Sequence, residues 1–376
     1  MDTVLSQMIE RVRDAAAHRA PLRIRGGASK DFHGGAPLHG EVLDTRAYTG
    51  ILSYEPSELV VTVRAGTPLH ALEAMLAQQH QCLPFEPPHF GPGATVGGMV
   101  AAGLSGPARA SVGAVRDYVL GVVLVNGRAE RLTFGGQVIK NVAGYDVSRL
   151  MVGAWGTLGL IAEVSLKVLP VAPAEATLRF GCDQAQALHR LHTWGAQPLP
   201  LNASCWVPDA AGAAGAGTLY VRLRGAVAAV EAACRTLGGE RLDDAAAAAH
   251  WAACREQQLP WFAARAQQPG LDVWRLSLPA TAPVLALPAG VAPPLIEWHG
   301  ALRWVQAGRE HAAALHAAAA QVGGSASLFI AGSAGPASAG GHFDPISAAQ
   351  RRIHERLAHS FDPAGIFNPG RMAWQR

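Results

Sequence analysis

The fold is decided by the stretch Pro92-Gly93-Ala94-Thr95-Val96-Gly97-Gly98-Met99-Val100-Ala101-Ala102-Gly103-Leu104-Ser105-Gly106. Glycine, alanine and serine predominate in it, and at such positions the backbone can lie directly against a flat ring, because no large side chain intervenes. Few structural roles require so much glycine in so short a segment. We therefore expect residues 95–106 to line a site for a planar ligand.

A second glycine-rich loop lies earlier in the chain. Arg25-Gly26-Gly27-Ala28-Ser29-Lys30 follows a predicted strand over residues 22–24, and its small residues allow successive backbone N–H groups to form one concavity for a pyrophosphate. For this loop taken alone, a tight turn without a ligand is the alternative. The Rossmann G-x-G-x-x-G and Walker G-x-x-x-x-G-K-[ST] motifs do not occur in the chain. A bound nucleotide would therefore require another scaffold.

The composition is that of a globular protein with a sizeable core. The chain has 376 residues, of which 49% are apolar and 16% charged, so we expect two or three packed units. The formal net charge is +3, and no cluster of lysine and arginine interleaved with aromatic residues occurs. Nucleic acid is therefore excluded as an expected partner.

The five cysteines are widely spaced and include no C-x-x-C pair of the kind that holds zinc or an iron-sulfur cluster. They are Cys82, Cys182, Cys205, Cys234 and Cys254. An odd number is also unsuited to a disulfide framework. We expect reduced, mostly core-filling thiols in a reducing compartment, and no metal site.

No membrane-spanning or signal segment is expected. Residues 1–20 carry three acidic residues and have the apolar spacing of an amphipathic helix, unlike a signal peptide. The longest apolar stretch, Pro279 to Trp298, contains five prolines, a density that a membrane helix would not tolerate.

The first half of the chain is rich in predicted strands. Residues 59–65 alternate as a strand, followed by a helix with Thr67 as its N-cap and Pro68 as its first residue. Residues 118–132 are typical of a β-hairpin with Asn126-Gly127 as a two-residue type I′ turn. One further strand is predicted over residues 163–168.

A shift to an alanine-rich composition near residues 170–176 predicts a domain boundary. We expect an α+β fold with three parts: residues 1–170, a second lobe over 171–345, and a basic amphipathic helix and tail over 346–376. The second lobe should hold an antiparallel sheet with helices on one face, because its strands are joined both by hairpins and by helices. Residues 211–216 and 333–341 are predicted loops. The predicted strands and helices of this lobe are strands 218–223, 273–278, 295–298, 301–305 and 325–330 and helices 227–237 and 309–321.

Taken in order, these motifs point to a family. Residues 21–170 resemble the FAD-binding domain of the vanillyl-alcohol oxidase and p-cresol methylhydroxylase (PCMH) superfamily, with hallmarks at residues 25–30, 95–98, 105–106 and 155–161. The tail Phe361-Asp362-Pro363-Ala364-Gly365-Ile366-Phe367-Asn368-Pro369-Gly370-Arg371 is similar to the closing signature of that superfamily. Lys140-Asn141-Val142-Ala143-Gly144-Tyr145-Asp146 and the short chain resemble the FAD-binding E subunits of bacterial glycolate oxidases. The implied fold is a two-lobed PCMH-type FAD-binding domain plus a cap domain.

The resemblance implies where FAD would bind. Loop 25–30 would hold the pyrophosphate, residues 95–106 would line the ribityl chain and isoalloxazine, and backbone near Leu160-Ile161 would meet the adenine. Relatives with covalent FAD carry a histidine in the first loop, where this chain has Ser29, so the FAD is expected to be non-covalent. His33 lies beyond the loop. The implied cofactor-binding residues are Arg25, Gly26, Gly27, Ala28, Ser29, Lys30, Pro87, Thr95, Gly97, Gly98, Gly103, Ser105, Gly106, Gly159, Leu160 and Ile161.

Catalytic residues cannot be assigned from the sequence. Dehydrogenases of 2-hydroxy acids in this superfamily carry a His-x-Gly-Asp-Gly-Asn-x-His segment, and the comparable stretch here, residues 328–333, offers no group that takes a proton near neutral pH. The remaining candidates also fit ordinary surface or interface positions, and Trp298 and Trp304 also fit packing roles. These candidates are Arg275, His299, Arg303 and His342.

Three functions stay open. The first is an FAD-binding subunit for assembly or electron relay in a complex that oxidises glycolate to glyoxylate, with a catalytic flavin subunit and an iron-sulfur subunit as partners. The second is a self-sufficient FAD-dependent dehydrogenase of a small 2-hydroxy acid such as lactate. The third is a structural pseudo-enzyme subunit with an empty flavin cleft. A cytoplasmic location, peripheral to the inner membrane through partner subunits, would suit the first.

Overall fold

The structure is a computed structural model, and it describes residues 2–33, 39–136, 145–209, 215–263, 268, 270–332, 343 and 346–372. The chain forms two compact units. The first comprises Met1–Leu104, Ala114–Val171 and Pro345–Arg376, and the second comprises Ser105–Gly113 and Ala172–Asp344. The boundaries after residues 104 and 113 were not expected, because the glycine-rich stretch had been taken as continuous with the first unit.

The described part of the chain contains eleven α-helices and seventeen strands. The helices are α1 Thr3–His18, α2 Leu69–Ala77, α3 Val96–Ala102, α4 Arg109–Val112, α5 Val147–Leu150, α6 Gln184–Gly195, α7 Val227–Leu237, α8 Asp244–Arg255, α9 Pro260–Ala263, α10 Ala312–Gln321 and α11 Ala348–Phe361. The strands of the first unit are β1 Leu22–Arg25, β2 Glu41–Asp44, β3 Ile51–Glu55, β4 Val60–Arg64, β5 Gln81–Cys82, β6 Val119–Val125, β7 Arg131–Gly135, β8 Leu160–Lys167 and β9 Leu169–Pro170. Those of the second are β10 Ala174–Gly181, β11 Leu201–Pro208, β12 Gly217–Gly225, β13 Glu240–Arg241, β14 Asp272–Ser277, β15 Leu295–Glu297, β16 Leu302–Ala307 and β17 Ser325–Ile330.

The first unit is built on an antiparallel sheet in the order β3-β4-β8-β6-β7. Its strand β6 is apolar along nearly its whole length, which is typical of a strand covered on both faces. Val122 and Leu124 face a core that includes α2 and α3, whereas Val123 and Val125 face α1 and the C-terminal tail. The parallel pair β1 and β2 lies beside this sheet and leads into loop 25–30.

The hairpin of β6 and β7 has a longer turn than predicted. Residues 126–130 connect the strands, and the Asn126 Oδ1 atom accepts hydrogen bonds from the backbone N–H groups of Arg128 and Glu130. The left-handed residue is Ala129, with φ of 59°. Gly127 is needed for another reason: an added Cβ would lie 2.5 Å from Asp362 Oδ1. The type I′ prediction is therefore wrong.

The start of α2 also differs by one residue from the prediction. The helix begins at Leu69, so Pro68 is the cap and contributes no side-chain hydrogen bond. The hydroxyl of Thr67 instead accepts a hydrogen bond from Gly50 N at 2.9 Å. The predicted apolar face is present, with Leu69, Leu72 and Leu76 buried.

The second unit contains an eight-stranded antiparallel sheet in the order β13-β10-β12-β11-β15-β16-β14-β17. One face packs on α6 and α7 through residues such as Leu219 and Val221. The opposite face bears Tyr220, which stacks on His250 of α8. Helices therefore cover both faces, and the expectation of one covered face is wrong. The alternation of residues along a strand indicates the two faces of the sheet, but it does not indicate which element packs on the second face.

Several expectations fall outside the described residues. These are the motif at residues 140–144, most of the predicted loops at 211–216 and 333–341, and the candidate His342. Within the described ranges, no helix is long and apolar enough to cross a membrane.

Candidate functional site

The first unit contains an open cleft lined by small and polar residues. Its lining brings together loop 25–30, the start of α3, the residues before β8 and the C-terminal tail. The lining residues are Ile24, Arg25, Gly26, Gly27, Ala28, Ser29, Lys30, Asp31, Thr45, Ala65, Thr95, Gly97, Gly98, Ala101, Ala102, Trp155, Gly156, Gly159, Ile161, Asn368 and Arg371.

Loop 25–30 is held in close contact with the segment before α3. A Cβ added to Gly27 would lie 1.4 Å from the carbonyl oxygen of Gly93, and one added to Gly26 would lie 2.3 Å from Thr95 Oγ1. The backbone N–H groups of residues 26–29 donate no hydrogen bond within the described part of the chain. Consecutive donors that lack partners fit the oxygen atoms of a phosphate or pyrophosphate.

Helix α3 presents a face of small residues to the cleft. Thr95 caps this helix, and its hydroxyl accepts a hydrogen bond from Gly98 N at 3.2 Å. Gly97 contacts the neighbouring strand so closely that a Cβ there would lie 2.6 Å from Ala65 Cβ. Gly98, in contrast, has only Thr95 Oγ1 near its open side, at 3.1 Å. This surface without side chains suits a flat or extended ligand.

The C-terminal tail closes one side of the cleft. Asn368 accepts a hydrogen bond from Ile24 N at 2.8 Å and donates one to the carbonyl of Trp155 at 2.7 Å. Arg371 donates to the carbonyl of Lys30 at 2.9 Å, and its guanidinium lies 4.7 Å from the centre of the Trp155 ring. Burial lowers the pKa of Arg371 to about 10, so it stays a cation at physiological pH.

Most of the predicted cofactor-binding residues line this cleft, and five do not. Pro87 is buried elsewhere, Gly103 ends α3, and Leu160 lies in the core under α1. Ser105 and Gly106 belong to the second unit.

Ten lining residues were not among the individually named cofactor-binding residues, although Ala101 and Ala102 fall within the predicted segment 95–106. Four of them lie within the motifs that resemble family signatures, and this location is the signal by which they could have been predicted to line the cleft. These are Trp155, Gly156, Asn368 and Arg371. For residues such as Thr45 and Ala65 no local signal exists, because strand pairing brings them to the cleft. The other four are Ile24, Asp31, Ala101 and Ala102.

The second unit holds a cluster of cations around a strained tryptophan. Trp298 and His299 both have left-handed backbone, with φ of 53° and 56°, a conformation that is costly for bulky residues. The guanidinium carbons of Arg109 and Arg275 lie 4.5 and 5.2 Å from the Trp298 ring centre. Trp298 Nε1 donates to the carbonyl of Gly106 at 3.0 Å.

A buried carboxyl lies near this cluster. Burial raises the pKa of Glu297 to about 7, although Trp304 Nε1 donates to its Oε2 atom at 2.6 Å. Burial and the neighbouring Arg109 lower the pKa of Arg275 to about 10, and the Arg275 guanidinium has no hydrogen bond within the described residues. Glu297 is thus a proton acceptor that the sequence analysis missed, because its apolar neighbours suggested only a buried strand.

The other two described candidates have structural partners. Arg303 donates to the carbonyls of Ala282 and Pro283 at 2.7 and 2.6 Å and so holds the proline-rich stretch against the sheet. Both ring nitrogens of His299 lie near hydroxyl oxygens, Nδ1 at 3.1 Å from Ser204 and Nε2 at 2.9 Å from Ser111. Burial lowers the pKa of His299 to about 4.

Comparison with known proteins agrees with this geometry. Residues 4–149 match the family model of the FAD binding domain. The glycolate oxidase subunit GlcE of Escherichia coli (strain K12) is 45% identical over 97% of this chain and 96% of its own length. The glycolate oxidase subunit GlcD of Bacillus subtilis (strain 168) is 32% identical over 43% of this chain and 34% of its own length.

A solved structure extends the likeness to the whole fold. An alkyldihydroxyacetonephosphate synthase matches with a TM-score of 0.67 at 15% sequence identity, covering 98% of this chain and 76% of its own. The PCMH-type architecture with an antiparallel cap sheet, predicted from the sequence, is confirmed. Because the identity to GlcE extends over nearly the full length of both chains, this chain belongs to the family of the glycolate oxidase subunit GlcE, among the flavoproteins that carry the FAD binding domain.

Proposed function

We propose that this chain is the FAD-binding subunit of a complex that oxidises glycolate to glyoxylate. The observation that carries the proposal is the cleft of the first unit, where the N–H groups of residues 26–29, which donate no hydrogen bond among the described residues, lie beside a helix face of small residues. Full-length similarity to a glycolate oxidase subunit supports the substrate class and the presence of partner subunits. The partners in this proposal are a catalytic flavin subunit and an iron-sulfur subunit, and through them the chain would be held at the cytoplasmic side of the membrane.

The residues of the cleft fit FAD in a defined orientation. The N–H groups of loop 25–30 would bind the pyrophosphate oxygens, with the Arg25 and Lys30 cations nearby. Gly97, Gly98 and Ala101 would lie against the ribityl chain and the ring, and the backbone near Ile161 would meet the adenine. Bound FAD would supply the capacity to accept and relay electrons. The tail lines one side of the cleft through Asn368 and Arg371 and would limit the access of water there.

The flavin is proposed to be non-covalent. Loop 25–30 offers Ser29 where a tethering histidine would be needed. His33 is buried, and its ring lies 4.7 Å from the ring centre of Trp155. It is therefore packed behind the wall of the cleft.

A second function, the self-sufficient dehydrogenase, is favoured by one observation in the second unit. The Arg275 guanidinium makes no hydrogen bond among the described residues and suits a carboxylate, and Glu297 takes up a proton near neutral pH. A carboxylate clamp and a base are two of the groups that oxidation of a 2-hydroxy acid requires.

Steady-state kinetics separate the two functions. The flavin-replete chain is assayed with a dye acceptor and a panel of 2-hydroxy acids, alone and with its partner subunits. The subunit proposal expects turnover only with the partners. A turnover of about one per second or more by the chain alone, which is within the usual enzyme range, would overturn it. Loss of that turnover in Arg275→Met and Glu297→Gln would then assign the second function.

A further inference from the structure

Two cysteines and a histidine that are far apart in the sequence meet on one face of the eight-stranded sheet. Cys205 lies on β11, and His250 and Cys254 lie one turn apart on α8. Their ligand atoms all lie within 4.8 Å of one another. No metal site was expected because the cysteines are widely spaced in the sequence, whereas the fold brings two of them and His250 together.

The distance between Cys254 and His250 matches that of two ligands in a tetrahedral metal site. Zinc binds thiolate sulfur at about 2.3 Å and imidazole nitrogen at about 2.0 to 2.1 Å. At the tetrahedral angle the two ligand atoms are then about 3.6 Å apart. Cys254 Sγ lies 3.6 Å from His250 Nε2.

The surrounding structure fixes the orientation of the histidine. Its ring stacks on Tyr220, with ring centres 3.8 Å apart, and Tyr220 pairs directly with Cys205 across β12 and β11. The strand register therefore sets the imidazole over the Cys205 position. On α8 the spacing of four residues places Cys254 on the same side as His250.

The charges of the cluster also suit a divalent cation. Both cysteines are buried. A divalent ion that displaces the two thiol protons leaves the net charge of this buried region unchanged, which avoids the cost of burying isolated thiolates.

We propose that Cys205, His250 and Cys254 bind one zinc ion through their three side chains. Two thiolates and an imidazole form a ligand set that binds zinc in preference to magnesium or calcium. The ion would fasten α8 to β11. The proposal is independent of the flavin and of glycolate oxidation, because it rests on the second unit alone.

The test measures metal on the purified full-length chain. Elemental analysis should find about one zinc per chain, and Cys205→Ser and Cys254→Ser should each lower zinc content at least about tenfold, since even outer-shell changes cost roughly 10- to 100-fold in metal affinity. Cys234→Ser, a half-buried cysteine on α7 of the same unit, is the matched control and should keep its zinc. Flavin absorbance recorded in parallel distinguishes loss of zinc from failure of the FAD proposal.

A second measurement covers the case in which the serine variants fail to fold. Titration of the wild-type chain with a mercurial should release one zinc as two buried thiols react, detected with a chromogenic chelator. Absence of zinc after incubation with zinc salts, copper in its place, a disulfide between Cys205 and Cys254, or zinc retained by both serine variants would each overturn the proposal.

Discussion

Glycine at the cleft of the first unit acts in two distinct ways. Gly27 and Gly97 permit close contact between backbone segments, because a Cβ at either would overlap neighbouring protein atoms. A Cβ added to Gly98 would meet the Thr95 hydroxyl at 3.1 Å, a tight contact that a small shift of that side chain relieves, so we infer that Gly98 mainly keeps the cleft open. The two roles can be separated experimentally.

We expect Gly98→Val to lose bound flavin while keeping most of its stability, since the new methyl groups would fill the cleft. Gly97→Val should lose both bound flavin and stability, because its Cβ would lie 2.6 Å from Ala65 Cβ. Overpacking of this kind lowers the free energy of unfolding by about 1 to 3 kcal/mol. Visible absorbance and urea denaturation measure the two effects. Gly181→Ala, where an added Cβ has no neighbour within 4 Å, is the control. Full flavin occupancy in Gly98→Val would contradict the assignment of this helix face.

His299 makes the stability of the chain depend on pH. Its folded pKa of about 4 lies below the ordinary value of 6.5, so the stabilisation is complete above about pH 6.5 and is lost as the pH falls toward 4. Relative to His299→Asn, which also tolerates left-handed backbone, the wild type should lose about 2 kcal/mol between roughly pH 7.5 and pH 4.5. Denaturation at both pH values measures this. If the difference in free energy of unfolding between the wild type and His299→Asn is the same at both pH values, His299 does not titrate as described.

At the level of elements, the C-terminal tail holds together parts of the cleft that are distant in the sequence. The side chain of Asn368 makes two hydrogen bonds, one to Ile24 in β1 and one to Trp155 in the segment before β8. Gly127, in the turn between β6 and β7, makes room for Asp362 at the start of the same tail. The tail is therefore part of the cofactor-binding unit and not an appendage.

Asn368→Gly should destabilise the chain and weaken flavin binding. The variant keeps the left-handed backbone at this position, where φ is 40°. It leaves Ile24 N and the Trp155 carbonyl without partners, and each loss should lower the free energy of unfolding by about 1 to 3 kcal/mol. The measurements are the urea midpoint and a flavin titration. Glu355→Ala on the exposed side of α11 is the control. Equal flavin affinity in Asn368→Gly and this control would show that the tail does not contribute to the site.

Some of these elements can be predicted from local sequence patterns, and others depend on contacts that are distant in the chain. Strand β6 and helix α2 were predicted because their apolar patterns are local, and loop 25–30 because its glycines are contiguous. The Asn126-Gly127 turn was predicted wrongly, since the demand for glycine comes from Asp362, which is more than 200 residues away in the chain. Likewise, Thr45 and Ala65 reach the cleft only through strand pairing, and no local pattern records that.

For the whole molecule, two units divide the functional features between them. The first holds the cleft that fits FAD, and the second holds the Arg275 and Glu297 pair and the Cys205 cluster. The segment 105–113 leaves the first unit to join the second, which the continuous glycine-rich pattern of residues 92–106 concealed. Family membership follows from both units, because the similarity to GlcE covers nearly the whole chain.

We expect the first unit to bind FAD without a covalent link. The direct measurement is the visible spectrum of the purified, FAD-reconstituted chain, followed by acid precipitation and analysis of the pellet and the supernatant. We predict about one flavin per chain, with absorbance near ~450 nm and all of the flavin in the supernatant. A colourless chain after reconstitution, or flavin that stays with the precipitated protein, would contradict the account.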